Sequence, residues 1–344
     1  MSGIIYATYG ILIISFLALA HEFGHFLIAR ISNIPVEEFA IGFGPTIYEH
    51  KPKETNGMKF KIGLFPILGY VKIKGMEDNY DDPESFYNRG FFAKFFTILG
   101  GPLMNLVVAI IIFGIVFGSF GNPLSPTTTI ASVVKGSPAE IAGLKPGDTI
   151  LKVNDLKIRT WSELVNAIQE NKENIATIEI KRENEILKIQ VVPKFDPTQK
   201  KWMIGISPKG EVYSTGKSFI EGMKWTFSTL FQMFTFLPKL FTRAGVTSIT
   251  GPIGIISMTG EAASAGFLNL LFFIAYISIA LAFTNLLPIP PLDGSWLIII
   301  IAEGVSGRKI PKDLTAKIQS IALIFMLILM FVVSINDILK LINK

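Results

Sequence analysis

Apolar residues dominate four stretches of the chain: Ile4–Ile28, Phe91–Phe120, Leu268–Leu287 and Ile318–Ile335. A hydrocarbon core of about 30 Å takes about 20 residues of helix, with roughly 17–25 tolerated. Each stretch is near or above that range, so the pattern predicts four spanning helices. A fifth stretch, Ser218–Phe241, is rich in Phe, Leu and Met but broken by Lys224, Gln232, Pro238 and Lys239. Its apolar runs are short, and it reads as an interfacial amphipathic segment within 211–260. Between the second and third stretches the pattern changes. Ala176, Ile178 and Ile180 alternate as in a half-buried strand, with Ile186–Val192 as their partner. Trp161, Leu164 and Ile168 share one face of a helix. Turns rich in Gly and Pro, at Gly136–Glu140 and Gly143–Asp148, separate these elements. Residues 121–210 therefore form a soluble α/β module inserted into an α-helical polytopic membrane protein.

Charge sets the expected orientation. No Lys or Arg precedes Arg30, whereas Arg30–Arg89 carries eight, and Arg308, Lys309, Lys312 and Lys317 follow the third run. The positive-inside rule makes these two loops cytoplasmic and puts the inserted module outside. The first run lacks a basic n-region and a small-residue cleavage site, so it is expected to stay as a span. The net charge of +5 comes without a long basic tract interleaved with aromatics. It belongs to the membrane rims, and no nucleic acid partner is expected. Half of the residues are hydrophobic and mean hydropathy is +0.48, as a bilayer protein requires. Cysteine is absent, so any bound metal is held by His and carboxylates.

The chemistry sits in the first run. His21-Glu22-Phe23-Gly24-His25 has the pattern H-E-x-x-H. On a helix, positions i and i+4 share a face, so both imidazoles can hold one Zn²⁺, with Glu22 placed to take a proton from the attacking water. Two histidines and a glutamate inside a span are costly unless paired or functional. Zinc needs a third protein ligand. His50 is one candidate, but it lies between Glu49 and Lys51 in a polar stretch. Asp293 is the better one, because it follows Asn285-Leu286-Leu287-Pro288-Ile289-Pro290-Pro291-Leu292. Three prolines cannot sit in a continuous helix. The third span must break there, which is tolerated at membrane depth only beside protein or a wet cavity. His21 lies roughly 25 Å down the first span at about 1.5 Å per residue, near the cytoplasmic edge. With Ser218–Phe241 interfacial, the third span runs in the same direction and brings Asp293 to that edge.

His21–His25 in the first span together with Asn285–Gly294 resembles the site-2 protease family of intramembrane zinc metalloproteases. Gly42-Phe43-Gly44-Pro45, Ile62–Lys74 and Gly100–Asn105 add a resemblance to its bacterial RseP-type branch. Thr127–Pro208, above all Gly136–Asn154, resembles a circularly permuted bacterial PDZ domain. The family resemblance implies Zn²⁺ on His21, His25 and Asp293, with Glu22 as general base. It implies cleavage of single-span membrane proteins, such as anti-sigma factors or signal-peptide remnants, in regulated intramembrane proteolysis at the bacterial cytoplasmic membrane. It also favours a membrane-associated β-hairpin, at about 42–74, over an ordinary loop. Gly63, Gly69 and Tyr70 on that hairpin, and Asn285 at the break, are then expected to hold substrate. The PDZ resemblance puts Ile204 and Gly205 at a loop that captures peptide ends, or leaves the module as a steric plug. The glycines of Gly100–Asn105 are expected to pack helices closely, while Asn105 either joins them or reaches the active site. Gly294-Ser295 departs from the family where a second glycine is common.

Two other functions compete. A secondary transporter would also use broken spans, but it has no need of H-E-x-x-H and four spans lack room for an inverted repeat. An inactive PDZ scaffold would have no use for an intact Glu22.

Overall fold

The computed structural model describes residues 2–51, 57–76, 82–197, 200–242 and 251–342. In chain order its elements begin with α1 (Ser2–Ile31), β1 (Val36–His50), β2 (Lys59–Ile73) and α2 (Phe91–Ser119). Next come β3 (Asn122–Val133), α3 (Pro138–Ile141), β4 (Thr149–Val153), β5 (Leu156–Lys157), α4 (Trp161–Asn171), β6 (Ala176–Arg182) and β7 (Glu185–Val191). β8 (Lys194–Asp196), β9 (Lys201–Met203), β10 (Ile206–Glu211) and α5 (Thr215–Phe236) follow. The chain closes with α6 (Pro252–Ser264), α7 (Phe267–Leu286), α8 (Asp293–Ser306) and α9 (Lys312–Ile342). Two compact units result, one of residues 1–113 with 222–344, the other of 114–221.

Helices over 5–31, 91–119, 267–286 and 313–335 are long and apolar enough to cross a membrane. They coincide with the four apolar runs. α1 and α2 approach until backbone meets backbone: a Cβ on Gly100 would stand 2.6 Å from the Gly24 carbonyl oxygen, and one on Gly24 would overlap the Gly100 carbonyl. Small residues at such a crossing allow close van der Waals contact where no hydrophobic drive exists between helices. β1 and β2 pair antiparallel in an irregular register interrupted by bulges. The hairpin begins at Val36, earlier than the alternation suggested, because Val36, Phe39 and Ala40 are all buried and do not follow a period of two. Its far end is apolar and exposed, with Phe43, Ile47, Tyr48, Leu64, Phe65 and Leu68 on the surface. The glycines expected to hold substrate serve this pairing. A Cβ on Gly63 would come within 2.5 Å of the Phe43 carbonyl, and one on Gly69 within 2.7 Å of the Ala40 carbonyl. Tyr70 donates its hydroxyl to Glu38 Oε2 at 3.0 Å, and Lys61 donates to Oε1 at 2.6 Å. The Lys61 ammonium holds the Glu38 carboxyl below its ordinary range, with burial opposing and Tyr70 assisting.

The prolines end α7 at Leu286, and the helix restarts at Asp293 as α8. Gly294 lets this restart fold back, since a Cβ there would strike the carbonyl oxygens of Leu286 and Leu287. A buried ion pair of Lys94 with Glu303, 2.7 Å apart, ties α2 to α8. At its far end α9 supplies a cap to another helix. Asp337, 3% exposed, accepts the Gly254 N–H of the first turn of α6 at 2.9 Å. The N-cap residue of α6, Gly251, offers no side chain, and a Cβ there would press on Asp337 Oδ2 at 2.8 Å. A capping acceptor is worth about 1 kcal/mol, and a negative charge at a helix N-terminus adds roughly 0.3–1 kcal/mol. Asp337→Ala is therefore expected to cost about 1–2 kcal/mol and Asp337→Asn less, read from thermal unfolding in detergent. An alanine variant as stable as the native protein would deny the cap any stabilising part.

In the second unit the sheet order is β10-β3-β4-β6-β7, with β5 beside β4. The alternation of Ala176, Ile178 and Ile180 buries all three, and they join Ile130, Ile150, Leu164, Ile168 and Ile204 in one core. Thr160 and Glu163 form a reciprocal capping box at the start of α4, as Ser/Thr-x-x-Glu sequences do. Arg182 grips the fully buried Asp148 through two nitrogens, at 2.7 and 2.8 Å. Burial pushes the Asp148 carboxyl up, but the guanidinium outweighs it and holds the group below its usual range.

Candidate metal centre

His21 and His25 sit on one face of α1, 8% and 6% exposed. The break after α7 aims Asp293, first residue of α8, at them. Three atoms converge. His21 Nε2 lies 3.0 Å from Asp293 Oδ2, His25 Nε2 lies 3.3 Å from the same oxygen, and the two Nε2 atoms are 3.2 Å apart. Ligands placed about 2.0–2.1 Å from a tetrahedral zinc are about 3.3 Å from one another. The three edges match that triangle. Asp293 Oδ2 is buried and, despite these neighbours, takes part in no hydrogen bond among the described residues. Such an orphaned oxygen is costly unless a cation satisfies it. The donor set of two imidazoles and a carboxylate suits Zn²⁺. These residues fit the metal, and among the described residues they are the cluster able to hold one.

The surroundings are made mainly by backbone. His25 Nδ1 lies 2.8 Å from the Thr97 carbonyl oxygen on α2. A carbonyl only accepts, so Nδ1 carries the proton and Nε2 keeps its lone pair for the metal. Glu22 Oε2 accepts the Val71 N–H of β2 at 3.1 Å, which fixes the carboxylate beside the imidazoles. Gly101 forms the wall opposite. A Cβ there would overlap His25 Nε2 and stand 2.7 Å from His21 Nε2. The glycines of the second run thus divide their work: Gly100 packs against α1, and Gly101 leaves room for the site.

The other expected residues fall as follows. Asn105 is fully buried with its amide 3.3 Å from His21 Nδ1. Asn285 is half-buried near the end of α7. His50 is exposed at the end of β1. Ile204 is buried in the core of the second unit, and the Gly205 carbonyl accepts the Val134 N–H. Thr97, Val71 and Gly101 escaped the sequence reading because two contribute backbone atoms and the third contributes the lack of a side chain.

Comparison with known proteins decides the family. The profile of Peptidase family M50, the site-2 proteases, matches residues 9–329. This chain belongs to Peptidase family M50. A relative from Clostridium acetobutylicum, whose name proposes a zinc metalloprotease, is 37% identical over 97% of each chain. RasP of Bacillus subtilis, named as the regulator of sigma-W protease, is 30% identical over 96% of this chain and 97% of its own. Among solved structures, the PDZ domain of an SdrC-like protein from Listeria monocytogenes overlaps 24% of this chain and 87% of its own, at 20% identity and a TM-score of 0.22. That likeness is too slight to build on. As an M50 peptidase the chain is a membrane metalloprotease whose cofactor is zinc, and regulated intramembrane proteolysis is its setting. Transport and scaffolding are set aside by this membership.

Proposed function

We propose that this M50 peptidase hydrolyses peptide bonds within the spanning segments of single-span membrane proteins, with anti-sigma factors and signal-peptide remnants as the substrate class. His21, His25 and Asp293 hold the zinc, and Glu22 is the general base. The triangle of ligand atoms, 3.0 to 3.3 Å on each side, carries this reading. Zinc, when bound, supplies Lewis acidity toward water and the scissile carbonyl. Glu22 takes the proton from the attacking water and returns it to the departing amine. The Val71 N–H holds that carboxylate in place before substrate arrives.

A spanning substrate shields its carbonyls inside a helix and must be held locally extended. In lipid each freed N–H and C=O needs a new partner, or costs several kcal/mol. The hairpin meets that need by strand addition along β2, near Gly63, Gly69 and Tyr70. Asn285 is suited to hold the other side of the extended segment, because its amide makes no hydrogen bond among the described residues. The apolar exposed end of the hairpin fits insertion into the bilayer from the cytoplasmic face, where Arg30–Arg89 and Arg308–Lys317 place the loops. In this arrangement the module of 121–210 lies outside a bacterial cytoplasmic membrane and screens substrates by size.

His21→Ala with His25→Ala tests the assignment. In the purified full chain this pair is expected to remove both zinc and cleavage of a model spanning substrate, while His50→Ala removes neither. Stoichiometric zinc in the double variant would overturn the ligand set.

A further inference from the structure

Thr97, Gly101 and Asn105 lie four residues apart and share the face of α2 that looks onto the two histidines. Thr97 gives His25 a carbonyl acceptor, and Gly101 gives both rings room. Among the described residues no carbonyl meets His21 Nδ1. It has the amide of Asn105, with Nδ2 3.3 Å away. The Asn105 amide oxygen is buried and without a hydrogen bond among the described residues. The side chain is anchored at its root, because the Ser278 hydroxyl of α7 donates to the Asn105 carbonyl at 2.7 Å.

An imidazole that offers the Nε2 lone pair to a metal keeps its proton on Nδ1, and that N–H needs an acceptor. A half-turn of the Asn105 amide exchanges Oδ1 for Nδ2 without moving the rest of the residue. The oxygen then faces His21 Nδ1 at hydrogen-bonding distance. We infer that Asn105 is a positioning residue that fixes the tautomer of His21, accepting Nδ1–H through Oδ1 so that Nε2 stays unprotonated and aimed toward Asp293 Oδ2. The inference rests on the reading of His21, His25 and Asp293 as the zinc ligands. It explains why a fully buried polar side chain stands at this place on α2, beside the His21 ring. A residue that only filled space would need no polar group there, and burying one unsatisfied is costly.

Two near-isosteric substitutions separate positioning from packing. Asn105→Leu keeps the branched shape, with bulkier methyl groups, and removes every acceptor; Asn105→Asp keeps the shape and presents an acceptor in either orientation. Zinc affinity of the purified full chain, measured by competition with a chromophoric chelator, is expected to fall by about 10- to 100-fold in the leucine variant, the usual cost of losing the outer partner of a ligating histidine. The aspartate variant is expected to match or exceed the native affinity. Leucine binding zinc as tightly as native, or aspartate binding as weakly as leucine, would overturn the role. A reading without substitution guards against misfolding. In ¹⁵N-histidine-labelled native protein loaded with ¹¹³Cd, His21 is expected to couple to the metal through Nε2 and to show a protonated, hydrogen-bonded Nδ1. Coupling through Nδ1 would refute the inference. No cadmium coupling to His21 at all would instead defeat the ligand assignment beneath it, so the two failures are told apart.

Discussion

Glu22→Gln should leave the protein with its zinc and almost without activity. The amide has nearly the size of the carboxylate and can still accept the Val71 N–H through its oxygen, so the geometry around α1 and β2 is preserved. It cannot take a proton from water. Loss of a positioned general base typically costs about 10²- to 10⁴-fold in rate. Cleavage of a model spanning substrate should fall by that amount, while metal analysis of the same preparation stays near one zinc per chain. Glu22 is a neighbour of the ligands and does not complete the triangle made by His21, His25 and Asp293. Loss of zinc in this variant would make Glu22 a ligand, and undiminished cleavage would remove it from the chemistry.

The second large effect comes from adding one methyl group. Gly101→Ala places a Cβ in overlap with His25 Nε2 and 2.7 Å from His21 Nε2. Side-chain carbons do not approach so closely, and neither neighbour is the free end of a flexible chain. His25 is tied to Thr97, and both rings are buried on α1. A retreat of α1 would give up the backbone packing of Gly24 against Gly100 one residue away. The rings must turn out of the ligand triangle. Zinc affinity should drop by on the order of 10²-fold, at the upper end of what disturbed ligand support costs, and cleavage should go with it. Helix propensity works in the opposite direction, since alanine in a helix interior is favoured over glycine by about 1 kcal/mol. A variant that loses zinc while its metal-free form keeps or gains thermal stability would therefore locate the damage in the site. A variant that binds zinc normally would show that α1 and α2 separate more easily than their contact suggests.

What could be read from the sequence was what side chains declare. The four apolar runs became the four long apolar helices, because length and hydropathy alone decide that outcome. The prolines after Asn285 announced the break, and the structure ends one helix at Leu286 and begins the next at Asp293. The alternation of Ala176, Ile178 and Ile180 gave a strand with all three residues buried. The supporting groups of the metal centre were not legible. The carbonyl of Thr97 and the N–H of Val71 exist at every position of every chain, and only folding decides which of them meets an imidazole or a carboxylate. Gly100 and Gly101 look alike in sequence, yet one meets α1 backbone and the other meets two rings. Asp337 was equally silent, since its partner is a turn of α6 far away along the chain.

The close contact of Gly24 with Gly100 couples α1 to α2 beside the proposed zinc site. Two of the three proposed ligands, and the carbonyl that orients one of them, ride on helices whose backbones touch. They form one half of the proposed site. Asp293 stands on the other side of a proline-filled interruption, at the head of a separate helix. A metal held by all three would therefore add a tie at the head of α8, whose body is already joined by the Lys94–Glu303 ion pair and by Leu297 and Ile300 in a core shared with Ala29 and Ile98. Removing the ion should loosen the first turn of α8, where Asp293 stands, before the later turn that Glu303 anchors.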